Sequence, residues 1–171
     1  MNVFLQHLNG FWLWLLLAVL AFAIVVVVLR SIRNIGPTEV GLVRKRFGAK
    51  KLHAGNAVAF DGEAGYQARL MMPGVQFKLW PVYDVTRHPM VQIPAGQIGV
   101  VIAQVGASLP VGAKSGVYKS QFGNFLDLEL FVTGGGEKGV QRLVLPPGTV
   151  VPIHPVGFLV ITRGHGLWRA D

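Results

Sequence analysis

The sequence predicts an α+β fold, in which an N-terminal transmembrane helix precedes a β-rich domain made of two related units. Three observations predict it. The 171-residue chain is 51% hydrophobic and 14% charged, and every Lys, Arg, Asp and Glu lies after Leu29. Beyond that point, 22 Gly and 10 Pro punctuate short β-branched runs, too many for a helical bundle. No Cys is present, which excludes a disulfide framework, a thiolate nucleophile and Cys-ligated zinc. The length allows one or two small domains and excludes a large multidomain enzyme.

Residues 1–10 form a tail without Lys or Arg. Phe11 to Leu29 (FWLWLLLAVLAFAIVVVVL) follow as 19 consecutive apolar residues. At ~1.5 Å per residue they reach roughly 28 Å as a helix, close to the ~30 Å hydrocarbon core of a bilayer. Lipid offers the backbone no hydrogen-bond partner, so the helix forms despite the Val25–Val28 run. Phe11, Trp12 and Trp14 suit the membrane interface. A signal peptide wants a basic start and a shorter core, and the cleavage-like Ala21-Phe22-Ala23 lies inside the apolar run. A buried core helix would carry a polar position. The segment reads as a membrane anchor.

Residues 30–51 make a basic juxtamembrane segment leading into the first strand. Arg30, Arg33, Arg44, Lys45, Arg46, Lys50 and Lys51 face a single acid, Glu39. The positive-inside rule places the remainder of the chain in the cytoplasm, as a single-pass protein of the cell membrane. These seven residues suit contact with anionic headgroups. The net charge of +8 also suits nucleic acid, but the charge is juxtamembrane and lacks interleaved aromatics, so no nucleic-acid partner is expected.

After Gly36-Pro37 the pattern predicts short strands at Val40–Phe47, Val75–Leu79, Met90–Ile93, Ile98–Gln104, Val140–Leu145, Val150–Ile153 and Phe158–Thr162. Asp61-Gly62, with AVAF before it and YQARLMM after, predicts a hairpin. Residues 123–133 fit a half-buried strand or one face of a short helix, and periodicity leaves both open. Pro73-Gly74 with Pro81-Val82 matches Pro147-Gly148 with Pro155-Val156 at a constant offset. Glu39-Val40-Gly41-Leu42-Val43 similarly resembles Gln97-Ile98-Gly99-Val100-Val101. Two units follow, 36–95 and 96–171, the second longer through the Gly/Lys/Ser-rich stretch 106–123.

No constellation for catalysis can be built, so the expectation is a protein that is not an enzyme and has no cofactor. His7, His53, His88, His154 and His165 lack metal-ligand spacing. The serines occupy no G-x-S-x-G elbow, and Gly134-Gly135-Gly136-Glu137-Lys138-Gly139 lacks phosphate-loop spacing. Asp127 and Glu129 read as the solvent face of a strand. His154, between Pro152 and Pro155, reads as a turn or surface histidine. Met71, Met72, Val75, Phe77, Leu79 and Trp80 give the 71–81 loop an apolar character that suits core packing or contact with the bilayer interface.

E-V-G-L-V-x-K-R-F-G (39–48), P-G-V-Q-F-x-x-W-P-V-x-x-V (73–85), I-P-A-G-Q-I-G-V-V-I-A (93–103), L-P-x-G (109–112), G-G-G-E-K-G-V-Q (134–141) and L-P-P-G-T-V-V-P-I-H-P-V-G-F-L-V (145–160) occur in that order. The ordered set resembles the SPFH (band 7) superfamily of stomatins, prohibitins and flotillins. The resemblance implies a membrane-anchored scaffold that oligomerises, forms microdomains, and organises or encloses client membrane proteins. Its partners would be the lipid bilayer, further copies of itself or of a related chain, and the client. Such proteins usually continue into a coiled coil, whereas residues 164–171 show no heptad, so a fragment or a minimal form is expected. The alternative is a single-span accessory subunit bound to one larger membrane complex.

Overall fold

A computed structural model describes residues 2–48, 50, 52, 57–60 and 62–164. It is an α+β structure with an N-terminal apolar helix and several small sheets. Helix α1, Asn2–Ser31, extends beyond the apolar run at both ends and takes in the expected tail. Its stretch Trp12–Ser31 is long and apolar enough to cross a membrane, and no residue of its most apolar window is buried within the protein. That is compatible with the span of a single-pass protein or with a signal sequence.

The chain leaves α1 directly into β1 (Ile32–Ile35), turns at Gly36-Pro37, and continues as β2 (Glu39–Lys45). The Glu39 N–H donates to the Gly36 carbonyl at 3.2 Å to close that turn. Strand β2 is flanked by β3 (Gly65–Tyr66) and β5 (Tyr83–Pro89), and β1 pairs antiparallel with β4 (Gly74–Phe77). Four consecutive β2 residues, Val40–Val43, are buried, so both faces of this strand are covered.

The same order of pairing recurs further along. Strand β6 (Val91–Gln92) pairs with β9 (Val150–Val151), as β1 does with β4. Strand β7 (Gln97–Ala103) lies between β8 (Gly139–Leu145) and β10 (Phe158–Gly164), as β2 lies between β3 and β5. A glycine fixes the close approach in each set. A Cβ on Gly41 would stand 2.6 Å from Ile35 Cδ1, and one on Gly99 would stand 2.6 Å from Ile93 Cδ1. The isoleucine of the preceding segment thus lies flat on the central strand in both places.

Between β7 and β8 the chain forms 3-10 turns over Ser120–Phe125, kinked at Gly123-Asn124, and a short helix α2, Leu128–Thr133. Of residues 123–133, the part from Leu128 onward is therefore helical, while Gly123 and Asn124 take left-handed backbone. Asp127 decides it: its Oδ1 accepts from the Glu129 and Leu130 N–H groups and caps α2. Asp127 and Glu129 accordingly do not share the solvent face of a strand. Phe122, Phe125, Phe131 and Phe158 interlock with centroids from 5.0 to 5.9 Å apart, edge to face except for the tilted Phe125–Phe131 pair, beside Ile93, Val101, Leu145 and Ile153. This aromatic cluster is the larger core.

Three further expectations need correction. The segments on either side of Asp61-Gly62 do not form an antiparallel hairpin, because Ala59 and Gln67 bridge in parallel while Tyr66 pairs with Arg44 of β2. Asp61 itself lies outside the described residues. The strand candidates missed β1 and β5, whose polar residues hide their pairing. His154 opens the turn at 155–157 but is buried, so it is not a surface histidine.

Candidate membrane junction and association face

Ser31, the last residue of α1, is fully buried and ties the helix to the 78–80 segment. Its Oγ donates to the Val27 carbonyl at 2.6 Å and accepts the Trp80 N–H at 2.9 Å. Its own carbonyl accepts the Lys78 N–H at 2.9 Å. The Arg30 guanidinium lies over the Trp80 ring, 5.5 Å from its centroid. The β domain is thus joined to the helix by directed contacts as well as by the chain itself.

The β1–β4 ribbon leaves this joint with two unlike faces. Ile35 packs with Val43 and Met71 against Tyr83 and Val85. The opposite face carries Ile32 beside its cross-strand partner Phe77, and Val75 beside Asn34. Ile32, Phe77 and Val75 are 48%, 59% and 74% exposed, although they begin one residue beyond the apolar helix. Of the apolar loop residues read from the sequence, Met71 is core, whereas Met72, Val75, Phe77 and Leu79 are exposed and Trp80 is half-buried on Arg30.

The basic residues fall into two groups. Several hold a partner: Arg44 lies over the Tyr66 ring, Lys45 Nζ donates to the Gly62 carbonyl at 2.6 Å, and Arg46 pairs with Asp84 at 3.2 Å. Arg33 lines a cleft beside β5, and Lys50 is exposed. Lys51 lies outside the described residues. Sequence reasoning missed Ser31, Lys78 and Arg87. Their roles arise from strand pairing, and only the helix end at Ser31 left a signal.

A second surface stands out on the β10–β7–β8 sheet. Its inner residues Val101, Ala103 and Leu145 join the core. On the outer face the register sets Ile161 beside Val100 and Val144, and Leu159 beside Ile102 and Val140. Leu159, Ile161, Val140 and Val144 are exposed. Most antiparallel sheets place polar residues on such an open face. The uninterrupted apolar runs of β7 and β10 were the sequence signal for it.

The two strand sets also meet. The imidazole of His154 is buried, with Nε2 3.0 Å from the Gln67 carbonyl, while Nδ1 accepts the Gly157 and Val156 N–H groups at 2.9 and 3.3 Å. Loss of hydration on burial lowers its pKa from the ordinary 6.5. At the surface, Arg69 Nε donates to Glu129 at 2.8 Å and links the segment after β3 to α2. No protein-family model, curated protein or solved structure matches the chain.

Proposed function

We propose that the chain is a membrane-anchored scaffold of the SPFH type, which oligomerises on the cytoplasmic side and organises or encloses client membrane proteins. The observation that carries this reading is the apolar outer face of the β10–β7–β8 sheet. An exposed aliphatic surface of that kind, interrupted on β8 by Arg142, is costly to leave in water and calls for a protein neighbour. The joint at Ser31 supports it, because a domain held against its helix meets its neighbours at one height above the bilayer. Confinement to a plane raises effective concentration, so weak lateral contacts suffice. The recurrent pairing of β1–β5 and β6–β10 supports two related units, as the ordered sequence blocks imply.

The test is particle mass in native membrane extracts. Particles containing many copies are expected, and Ile161→Asp with Val144→Asp should reduce them to single copies that remain in the membrane. Single wild-type copies bound to another complex would sink the scaffold and favour the accessory subunit. Anchoring has its own check. Leu16→Arg with Val19→Arg costs ~2.5–3.5 kcal/mol per charge at the helix centre, so membrane fractionation should be lost.

A further inference from the structure

We propose that the cleft between β1 and β5 binds the phosphate of an anionic phospholipid headgroup. The cleft measures about 300 Å³ and is lined by Ile32, Arg33, Asn34, Ile35, Val85 and Arg87. Two arginines line it from different strands, and no carboxylate residue does. On β1, Arg33 shares the face of Ile35, which packs against Val85. On β5, Arg87 shares the face of that same Val85. The two arginines therefore occupy facing surfaces of ribbon and sheet.

Among the described residues, neither Arg33 nor Arg87 has a carboxylate within ion-pair distance, whereas Arg46 and Arg69 each do. Folding has brought two like charges into one cleft with no ion-pair partner among the described residues, which favours an external anion. Guanidinium groups grip phosphate oxygens in a bidentate manner.

Position selects the source of the phosphate. Arg33 lies two residues beyond Ser31, and a strand rises ~3.3 Å per residue. With the last helical residues included, about 10 Å of chain separates it from Leu29, the end of the apolar run. The headgroup layers add roughly 5–8 Å on each side of the hydrocarbon. Arg33 can thus stand at most about 10 Å above the hydrocarbon, from where its long side chain reaches back into that layer. The assignment rests on reading α1 as a membrane span.

The experiment reconstitutes the full chain in nanodiscs of phosphatidylcholine with a minor fraction of phosphatidylglycerol. After release into mild detergent, native mass spectrometry reads the lipids retained. Wild type should retain phosphatidylglycerol selectively, and Arg33→Gln with Arg87→Gln should lower that retention about tenfold. Arg44→Gln with Lys45→Gln and Arg46→Gln removes more charge and should leave retention nearly unchanged. Arg33→Lys with Arg87→Lys, which keeps the charge and tests for misfolding, should restore part of it. Equal losses in the two Gln series would overturn a defined site in favour of diffuse attraction. Inorganic phosphate that binds equally well in pure phosphatidylcholine discs would overturn the lipid assignment. A chain that never enters the discs would overturn the membrane span as well, whereas an inserted chain without selectivity would overturn the cleft alone.

Discussion

Gln67 and Gln141 brace their segments with the same two hydrogen bonds. Gln67 Nε2 donates to the Glu63 and Gly65 carbonyls at 2.9 and 3.1 Å, and Gln141 Nε2 donates to those of Glu137 and Gly139 at 2.8 and 3.0 Å. Each glutamine also takes part in a parallel bridge, Gln67 to Ala59 and Gln141 to Gly116. The spacing Glu-x-Gly-x-Gln recurs because one local problem recurs. A glycine with positive φ, Gly65 or Gly139, opens each strand and leaves carbonyls for a side-chain amide to satisfy.

The two sites should respond unequally to truncation. Gln141 is buried and Gln67 only half-buried, so the carbonyls orphaned by Gln141→Ala have less access to water. We expect Gln141→Ala to cost ~1–3 kcal/mol and Gln67→Ala less. Chemical denaturation of the reconstituted chain measures both. A larger loss for Gln67→Ala would show that burial is not what sets the cost.

The contact of Ile35 with Gly41 yields a reciprocal prediction. A methyl group at position 41 would press on Ile35 Cδ1 at 2.6 Å, Met71 Cβ at 3.0 Å and Val85 Cγ1 at 3.2 Å. Gly41→Ala should destabilise by ~1–3 kcal/mol through overpacking. Ile35→Val removes Cδ1, so the double variant should be more stable than the sum of the single costs predicts. Strict additivity in a double-mutant cycle would refute the contact.

The joint at Ser31 predicts a loss that is local before it is global. Ser31→Ala deletes the hydroxyl that accepts the Trp80 N–H and donates to the Val27 carbonyl. A cost of about 1–2 kcal/mol is expected, concentrated where α1 meets the 78–80 segment. Hydrogen exchange should show faster exchange at Trp80 while β7 and β10 keep their protection. Unchanged exchange at Trp80 would mean that the hydroxyl does not hold the joint.

What the sequence revealed and concealed follows from the range of the interactions. Phe11–Leu29 declares a helix because composition alone decides its solvent, and the Ile98 run declares β7 because most of its residues are apolar. Strand β1 could not be seen, since Ile32-Arg33-Asn34-Ile35 is extended only through pairing with residues 74–77. Strand β5 was hidden in the same way, its Asp84, Arg87 and His88 being compatible with a loop until β2 is laid beside it. Helix α2 was written in Asp127, whose capping role periodicity does not weigh. Arg33 was named from the sequence, but its cleft needed Arg87, which only the fold brings near.

His154 makes stability depend on pH, and its direction follows from geometry. Nδ1 accepts two backbone N–H groups and must carry no proton, so Nε2 holds the hydrogen and donates to the Gln67 carbonyl. Protonation would set an N–H against the Gly157 and Val156 donors, in a buried site where His88 already disfavours positive charge. The folded-state pKa therefore lies below the ordinary 6.5 of the unfolded chain. A depressed value means the unfolded state binds more protons. The contribution of His154 is complete above about pH 6.5 and is lost as pH falls from there through the folded value. Melting of the wild-type chain between neutral and mildly acidic pH should show this decline. His154→Gln, which keeps a donor for the Gln67 carbonyl but does not titrate, should be less stable at neutral pH and flatter across the range, with His88→Gln as the control for its neighbour. An equally steep decline in His154→Gln would assign the pH dependence to other groups.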